Sequence, residues 1–372
     1  MAKTPPTMRS LVAPKKCSPA GYEIIQRQTP KITKPEHVLL RMRAVAINTG
    51  DTQFASGMLD ILFKAEYPLP IAQEGSGVVI AVGSAVRNLK VGDAVYGLHI
   101  DKPMFRPPPP GFASDYALSE ERFLYKKPEG ISFEEAAALP GLSVTAYQTI
   151  RRGLELQGRD SLAGQTVYIP AALSASGSIA IQVARNYYGA DKIISTVSTP
   201  KMPFVEENLP GMVNQLYDYK TQDVPSLVGK GTVDFVYNTQ FSTFDESAAV
   251  LKPQSGILMS IASIPTSAVM RPMVGPDRTP FWLCWLLDFA QIWYKWKLRG
   301  TKIKHEFVSG GPHIREDTEV VADLIAKGKI RAVYTTVDLG DLDEVRKACG
   351  RVATGKGGFG KLVLRISGEK DD

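Results

Sequence analysis

Between Thr166 and Ser198 the chain reads as strand, turn, helix and second strand. The turn is built almost wholly of small side chains, Ala171-Ala172-Leu173-Ser174-Ala175-Ser176-Gly177. At Ser174 to Gly177 a diphosphate could approach the backbone. The unpaired N–H groups of the first helical turn would face it, with the positive end of the helix dipole behind them. Gly177 would let the helix pack close to the strand, and Ile179, Ile181, Val183 and Ala184 supply its apolar face. Val167, Tyr168 and Ile169 form the short apolar run of a strand buried on both sides. This is the pattern of the first βαβ unit of a dinucleotide-binding fold, with one departure. Only the last of the usual glycines is kept, and a turn that needs positive φ is strained by Ala or Leu. The competing reading is a relic of the same unit that holds no cofactor.

A second group of chemistry-bearing residues is Asn48-Thr49-Gly50-Asp51-Thr52, read as a polar loop. Asn48 and Asp51 could face a cleft, or could only cap the loop through Asx turns. Asp93, in Val91-Gly92-Asp93, reads as a turn residue, and Tyr67 is a further candidate hydroxyl donor.

The elements that would position these groups follow from pattern. Residues 8–47 and 75–97 read as short strands separated by glycine turns. The stretch 133–153 reads as helical, with Pro140 a break or a helix start. Beyond the βαβ unit, Gln215–Tyr217, Val233–Tyr237 and Gly256–Ile261 read as strands, with helical stretches such as Ser247–Leu251 between them. That succession predicts a parallel sheet. A helix in 316–330, then strands in 331–339 and 360–366, close the pattern. Residues 102–111, KPMFRPPPPG, read as a rigid surface loop.

The 372 residues are enough for two domains with their own cores. The net charge of +6 suits anionic ligands but is too diffuse to argue for nucleic acid. Cys17, Cys284 and Cys349 are scattered, as are His37, His99, His305 and His313, so neither a disulfide framework nor zinc spacing is visible. The opening MAKTPPTMRSLVAP lacks an apolar core and does not read as a secretory signal. These features point to a reducing, cytoplasmic setting.

Residues 279–300, TPFWLCWLLDFAQIWYKWKLRG, stand apart. Trp282, Trp285, Phe289, Ile292, Trp293 and Trp296 recur at helical spacing, followed by Lys295, Lys297 and Arg299. The stripe fits a core helix. It also fits a helix resting on a membrane surface, an apolar lid, or a subunit contact. Asp288 argues against a membrane span.

The order of motifs resembles the medium-chain dehydrogenase/reductase superfamily, over nearly the full length. The motifs are AINTGDT at 46–52, Gln73-Glu74-Gly75-Ser76-Gly77, Val91-Gly92-Asp93-Ala94-Val95 and Gly111-Phe112-Ala113. AAALPGLSVTAYQTI, the turn before Gly177, Asp218-Tyr219-Lys220-Thr221, Val233-Asp234-Phe235 and GKLVLRI complete the set. The chain is most similar to the zinc-independent quinone oxidoreductases and enoyl reductases, and particularly to the stand-alone enoyl reductases that partner fungal polyketide synthases.

That resemblance implies an α/β fold with two parts. Residues 1–133, completed by 323–372, would form a mainly β GroES-like substrate domain. Residues 134–322 would form a Rossmann-type domain with a parallel sheet. Zinc alcohol dehydrogenases of the superfamily carry Cys where this chain has Thr49-Gly50, and His-Glu where it has Gln73-Glu74. With Glu74 alone remaining, and no Cys-rich lobe, no zinc is expected. The resemblance places the nicotinamide in a cleft between the domains, beside Thr145. It places Ser174, Ala175, Gly177 and Ser178 at the pyrophosphate, and Tyr219 near the adenosine. After the second strand no acid awaits the ribose hydroxyls, whereas Ser198, Thr199 and Lys201 would suit a 2′-phosphate, so NADPH is expected. Lys201 could also be a plain solvated lysine.

The implied reaction is reduction of an activated C=C bond, with Asn48, Thr52 and Thr145 as cleft-facing candidates for catalysis. The substrate would be an apolar small molecule or a carrier-bound polyketide, and the protein a monomer or homodimer. The tyrosine of some enoyl reductases is absent where Gly57-Met58-Leu59-Asp60-Ile61 stands. Two alternatives follow: a non-redox cyclase or isomerase on the same scaffold, or a membrane-associated binding protein anchored through 279–300.

Overall fold

A computed structural model describes residues 4–62, 64–104, 111–356 and 358–366. Most of the proline-rich segment read as a surface loop lies outside them. The chain forms two compact units, Met1–Gly141 with Pro312–Ala326 and Tyr334–Asp372, and Leu142–Gly311 with Lys327–Val333.

The first unit opens with β1 (Thr7–Ala13), β2 (Glu23–Gln28), β3 (His37–Ile47), α1 (Thr49–Ala55), β4 (Leu69–Pro70) and β5 (Glu74–Val82). Next come β6 (Ala94–Leu98), β7 (Tyr116–Glu120), β8 (Leu124–Lys126) and α2 (Phe133–Ala138), before α3 (Pro140–Gln157) carries the chain onward. β3 is the spine, buried at most positions, with Arg41 turned out to solvent. It pairs antiparallel with β5 and β7. α2 starts where Ser132 Oγ accepts a hydrogen bond from Glu135 N at 3.0 Å, and Pro140 takes the first position of α3. The expected loop at Asn48–Thr52 is instead the start of α1. The Asp51 carboxylate accepts from Asn48 N at 2.8 Å and closes the first turn.

The second unit contains β9 (Thr166–Ile169), α4 (Ala175–Asn186), β10 (Lys192–Val197), α5 (Phe204–Asn208), β11 (Gln215–Asp218) and α6 (Val224–Val228). β12 (Phe235–Asn238), α7 (Phe244–Val250), β13 (Ile257–Ser260), α8 (Ser267–Val274), α9 (Phe281–Lys297) and β14 (Lys304–Phe307) follow. Its six strands are all parallel, in the order β11-β10-β9-β12-β13-β14. From β9 the chain winds outward through β10 and β11, then returns to lay β12 on the other side. The order therefore reverses between β9 and β12, the switch point where open parallel sheets bind ligands at their carboxyl ends. Tyr168, Ile194, Val236, Leu258 and Tyr294 pack together beneath that edge.

The chain re-enters the first unit with α10 (Arg315–Ala326), β15 (Tyr334–Asp338), α11 (Leu342–Thr354) and β16 (Lys361–Arg365). β16 joins the antiparallel sheet beside β3, giving the order β15-β16-β3-β5-β6-β8, with β7 on β3. The core reading of α9 does not hold. Only Leu283 and Tyr294 are buried on it, because the aromatic stripe faces outward.

Candidate functional site

The turn after β9 shows how alanine can stand where glycine is usual. Ala171 adopts φ +63°, a left-handed conformation that costs an L-residue about 1–2 kcal/mol. Bonds to β10 hold it there: Ala171 N donates to Thr196 Oγ1 at 3.1 Å and Ala172 N to Thr196 O at 2.9 Å. Ala172 and Leu173 are buried, enclosed by protein. Ser174 is the N-cap of α4, its Oγ accepting from Gly177 N at 2.9 Å. A Cβ on Gly177 would lie 2.2 Å from the Ala171 carbonyl oxygen, so glycine alone fits there. The N–H groups of Ala175 and Ser176 have no hydrogen-bond partner among the described residues. Ser178, expected at the pyrophosphate, is buried and its hydroxyl donates back to Ala175 O at 3.3 Å.

The opposite bank of the same sheet edge is held just as closely. Thr239, after β12, donates from Oγ1 to Pro170 O at 3.1 Å and so links the two loops at the switch point. Asn238 Nδ2 donates to Gln240 O at 2.9 Å and to Ser260 Oγ at 3.2 Å.

At the end of β10, Ser198 precedes a short 3-10 turn in which Lys201 N donates to Ser198 O at 2.8 Å. Burial pushes the Lys201 ammonium below its ordinary range. Tyr219 stands exposed just beyond β11, with its N–H bonded to Val197 O at 3.1 Å and Lys220 Nζ 5.3 Å from its ring. One residue quoted in a motif, Asp218, was given no role here from sequence. The strand register sets Asp218 beside Val197, bringing an acid to the end of β10 from the neighbouring strand. Its carboxylate is already engaged, accepting from Thr199 Oγ1 at 2.5 Å, Thr221 Oγ1 at 3.0 Å and Lys220 N at 2.9 Å. Thr199 is therefore taken up by Asp218.

Thr145 lies on α3 in the second unit, under the loop that follows β14. A Cβ on Gly310 would fall 2.4 Å from Thr145 Cα, so that backbone runs directly against the helix. Gln148 pins it: Nε2 donates to Gly311 O at 3.1 Å, and Oε1 accepts from Gly311 N at 3.0 Å. Neither Gln148 nor Gly311 was singled out from sequence, since 163 residues separate them.

In the first unit, Asn48 belongs to a buried polar cluster. Its Nδ2 donates to Glu74 Oε2 at 3.2 Å, and its Oδ1 accepts from Lys361 Nζ. Lys361 Nζ lies 3.6 Å from Glu74 Oε1, with the two side chains 4% and 0% exposed. A cation and an anion so fully removed from water are held by each other. Burial pushes the Asp51 carboxyl up to about 6, against the stabilising Asn48 N–H and Lys361 charge. Thr52 is buried and its hydroxyl proton goes to Thr49 O at 2.8 Å, which leaves it no donor to offer. Tyr67 donates to Ala55 O at 3.4 Å.

Two family matches now stand beside this geometry. Residues 34–129 match the alcohol dehydrogenase GroES-like domain, and residues 213–364 match the zinc-binding dehydrogenase family. The chain belongs to the medium-chain dehydrogenase/reductase superfamily, with a GroES-like antiparallel part and a Rossmann-type parallel sheet. It is 34% identical over 222 residues to the NADPH-dependent alkenal/one oxidoreductase of Arabidopsis thaliana, covering 58% of this chain and 54% of that protein. It is 25% identical over 361 residues to the enoyl reductase component of lovastatin nonaketide synthase from Aspergillus terreus, covering 90% of each. That protein apart, the chain spans about half the length of the first curated relatives it matches. The quinone oxidoreductase of Coxiella burnetii has the same fold, with a TM-score of 0.72 at 22% identity over 97% of this chain and 100% of that one.

The residues at Asn48 and Glu74 do not fit zinc. An ammonium already meets the Glu74 carboxylate, the Asp51 carboxylate is closed on Asn48 N, and Asn48 and Gln73 are amides, so no thiolate or imidazole is at hand. Among the described residues no three His, Cys, Asp or Glu side chains converge on a metal-sized site.

Proposed function

We propose that this chain is an NADPH-dependent, zinc-independent reductase of activated C=C bonds, of the enone or enoyl class. One observation carries the cofactor assignment. The Ser174-capped turn presents the unpartnered N–H groups of Ala175 and Ser176 at the switch point of a parallel sheet, with Gly177 cut to fit. Nicotinamide chemistry is common to the superfamily, and the similarity to the Arabidopsis alkenal/one oxidoreductase and the Aspergillus enoyl reductase component supports alkene reduction.

When bound, a reduced nicotinamide would supply a hydride to the β-carbon of the conjugated bond, and a proton from solvent water would complete the saturated product at the α-carbon. The chain must then do three things. Ala175 and Ser176 hold the diphosphate through backbone N–H groups. Ser198 and Lys201 receive the 2′-phosphate; a partly desolvated ammonium gains most from an anion, and such a charge-assisted contact is among the strong ones. The negative charge that grows on the substrate carbonyl oxygen needs a donor. We assign the remaining Nδ2–H of Asn48 to that role, and keep Thr145, on α3 of the second unit, for the nicotinamide. Glu74 and Lys361 fix the Asn48 amide against flipping, so the same N–H is always presented. Thr52 and Ser178 drop out, since their hydroxyl protons are spent on Thr49 and Ala175. The setting we infer is polyketide or related specialised metabolism, supported by similarity along most of the chain to the Aspergillus component.

Titration with NADPH and NADH, read by reduced-nicotinamide fluorescence, tests this. The expected result is preference for NADPH, with Lys201→Ala weakening it about tenfold to a hundredfold and leaving NADH unchanged. Equal binding of both, untouched by Lys201→Ala, would overturn the NADPH preference, and tighter binding of NADH would move the ribose contact to Asp218.

A further inference from the structure

All four tryptophans of this chain lie on α9, and all four are exposed. Phe281, Trp282, Trp285, Leu286, Phe289, Ile292, Trp293 and Trp296 are between 43% and 85% exposed. At about 100° per residue, these eight side chains share one arc of about 140°. This is the reverse of an ordinary surface helix, whose apolar stripe turns inward.

The orientation is firmly set from the other side. Leu283 and Tyr294 are buried, and the Tyr294 hydroxyl accepts from Ile264 N at 2.8 Å. Asp288 accepts from Ser267 N and Oγ at 2.9 and 2.7 Å, and Gln291 Nε2 donates to Ile264 O at 3.1 Å. Asp288 and Gln291 thus bond inward to α8 and its approach, Lys297 Nζ pairs with Asp245 Oδ2 of α7 at 2.7 Å, and the indoles point out. The patch is also ordered: Trp285 and Phe289 stack at 5.2 Å.

We propose that this face docks on the surface of an anionic lipid bilayer, with α9 lying in the plane of the interface. Charge selects this occupant. Residues 267–304 hold seven Lys and Arg side chains against two acidic ones, which accounts for five of the chain's six net positive charges. A second copy stacked on the same face would bring these like charges together, whereas an anionic leaflet complements them. Lys297 lies 5.1 Å from the Trp293 ring and Arg299 4.6 Å from that of Trp296. Rings and cations so arranged suit the boundary between acyl chains and headgroups, where indoles concentrate and long basic side chains reach toward water. Among the described residues no helix is long and apolar enough to cross a membrane, so the contact is peripheral.

The test uses the full chain with vesicles of phosphatidylcholine alone and of phosphatidylcholine containing phosphatidylserine. Co-flotation and tryptophan emission are both read. Because every tryptophan is on the stripe, docking shifts the whole emission to the blue. The proposal predicts flotation with phosphatidylserine vesicles and a loss of about tenfold in partition for each aromatic removed, in Trp285→Ser and Phe289→Ser. It also predicts weaker partition for Lys295→Glu/Lys297→Glu, with circular dichroism and NADPH binding unchanged. No flotation and no shift with either vesicle would overturn it. So would a dimer in sedimentation velocity that Trp285→Ser dissolves while vesicles are ignored, which would assign the face to a second copy.

Discussion

The side chains that do the local work here are mostly engaged with one another, and their engagement can be measured. Lys361 and Glu74 neutralise each other inside the first unit. Lys361→Met alone leaves the Glu74 carboxylate buried without its cation and should cost about 3–5 kcal/mol in urea unfolding. Lys361→Met with Glu74→Gln should recover part of that loss; additive losses would mean that the pair is not coupled. Asp51 supplies a pH signature. Its folded-state pKa of about 6 lies above the ordinary carboxylate value, so the folded protein binds the extra proton. Its contribution is fully present below about pH 4 and is lost as pH rises through 6. Asp51→Asn should flatten that decline, seen as less change in Tm between pH 5 and pH 7. An unchanged pH profile would place the charge elsewhere. Of this cluster, only Asn48, Asp51, Gln73 and Glu74 stood out in sequence. Lys361 was present in a motif, but 313 residues separate it from Asn48, and spacing carries no sign of such a contact. Thr52 misled for a simpler reason: a buried threonine on a helix can satisfy itself on its own backbone.

Among the elements, the strand–turn–helix around Gly177 was the most legible, because apolar runs and small residues are local signals. Pattern could not show how the turn copes without its glycines. The answer lies in β10, whose Thr196 clamps Ala171 from the next strand. Two variants separate geometry from chemistry. Gly177→Ala forces a Cβ to within 2.2 Å of a backbone carbonyl and should abolish NADPH binding. Ala171→Gly relieves the positive φ, and should preserve NADPH binding with stability unchanged or raised by up to about 1 kcal/mol. Loss of binding in Ala171→Gly would show that the alanine is itself required. α11 was overlooked, although Asp341 and Gly355 mark its two ends as cap and left-handed stop. For α9 the helix was correctly read, but its facing was left open between core and surface. Periodicity gives a stripe and not the side to which it turns, and that side depends on the bonds of Asp288 and Gln291.

At the scale of the molecule, superfamily membership and the chemistry of the two units point the same way. The ammonium among the amides in the first unit replaces the ligands that a catalytic zinc would need. Prolonged dialysis against a chelator should therefore leave reductase activity intact, and loss restored by added zinc would contradict this. The central claim is that the chain moves a hydride from NADPH to a conjugated carbon. Its most direct test is the absorbance of reduced nicotinamide, followed with a panel of α,β-unsaturated ketones and enoyl thioesters, alongside product analysis. The account predicts one NADPH consumed per saturated product, with Gly177→Ala silent. A product formed at the same rate with all nicotinamide stripped away would contradict it and assign the scaffold to non-redox chemistry.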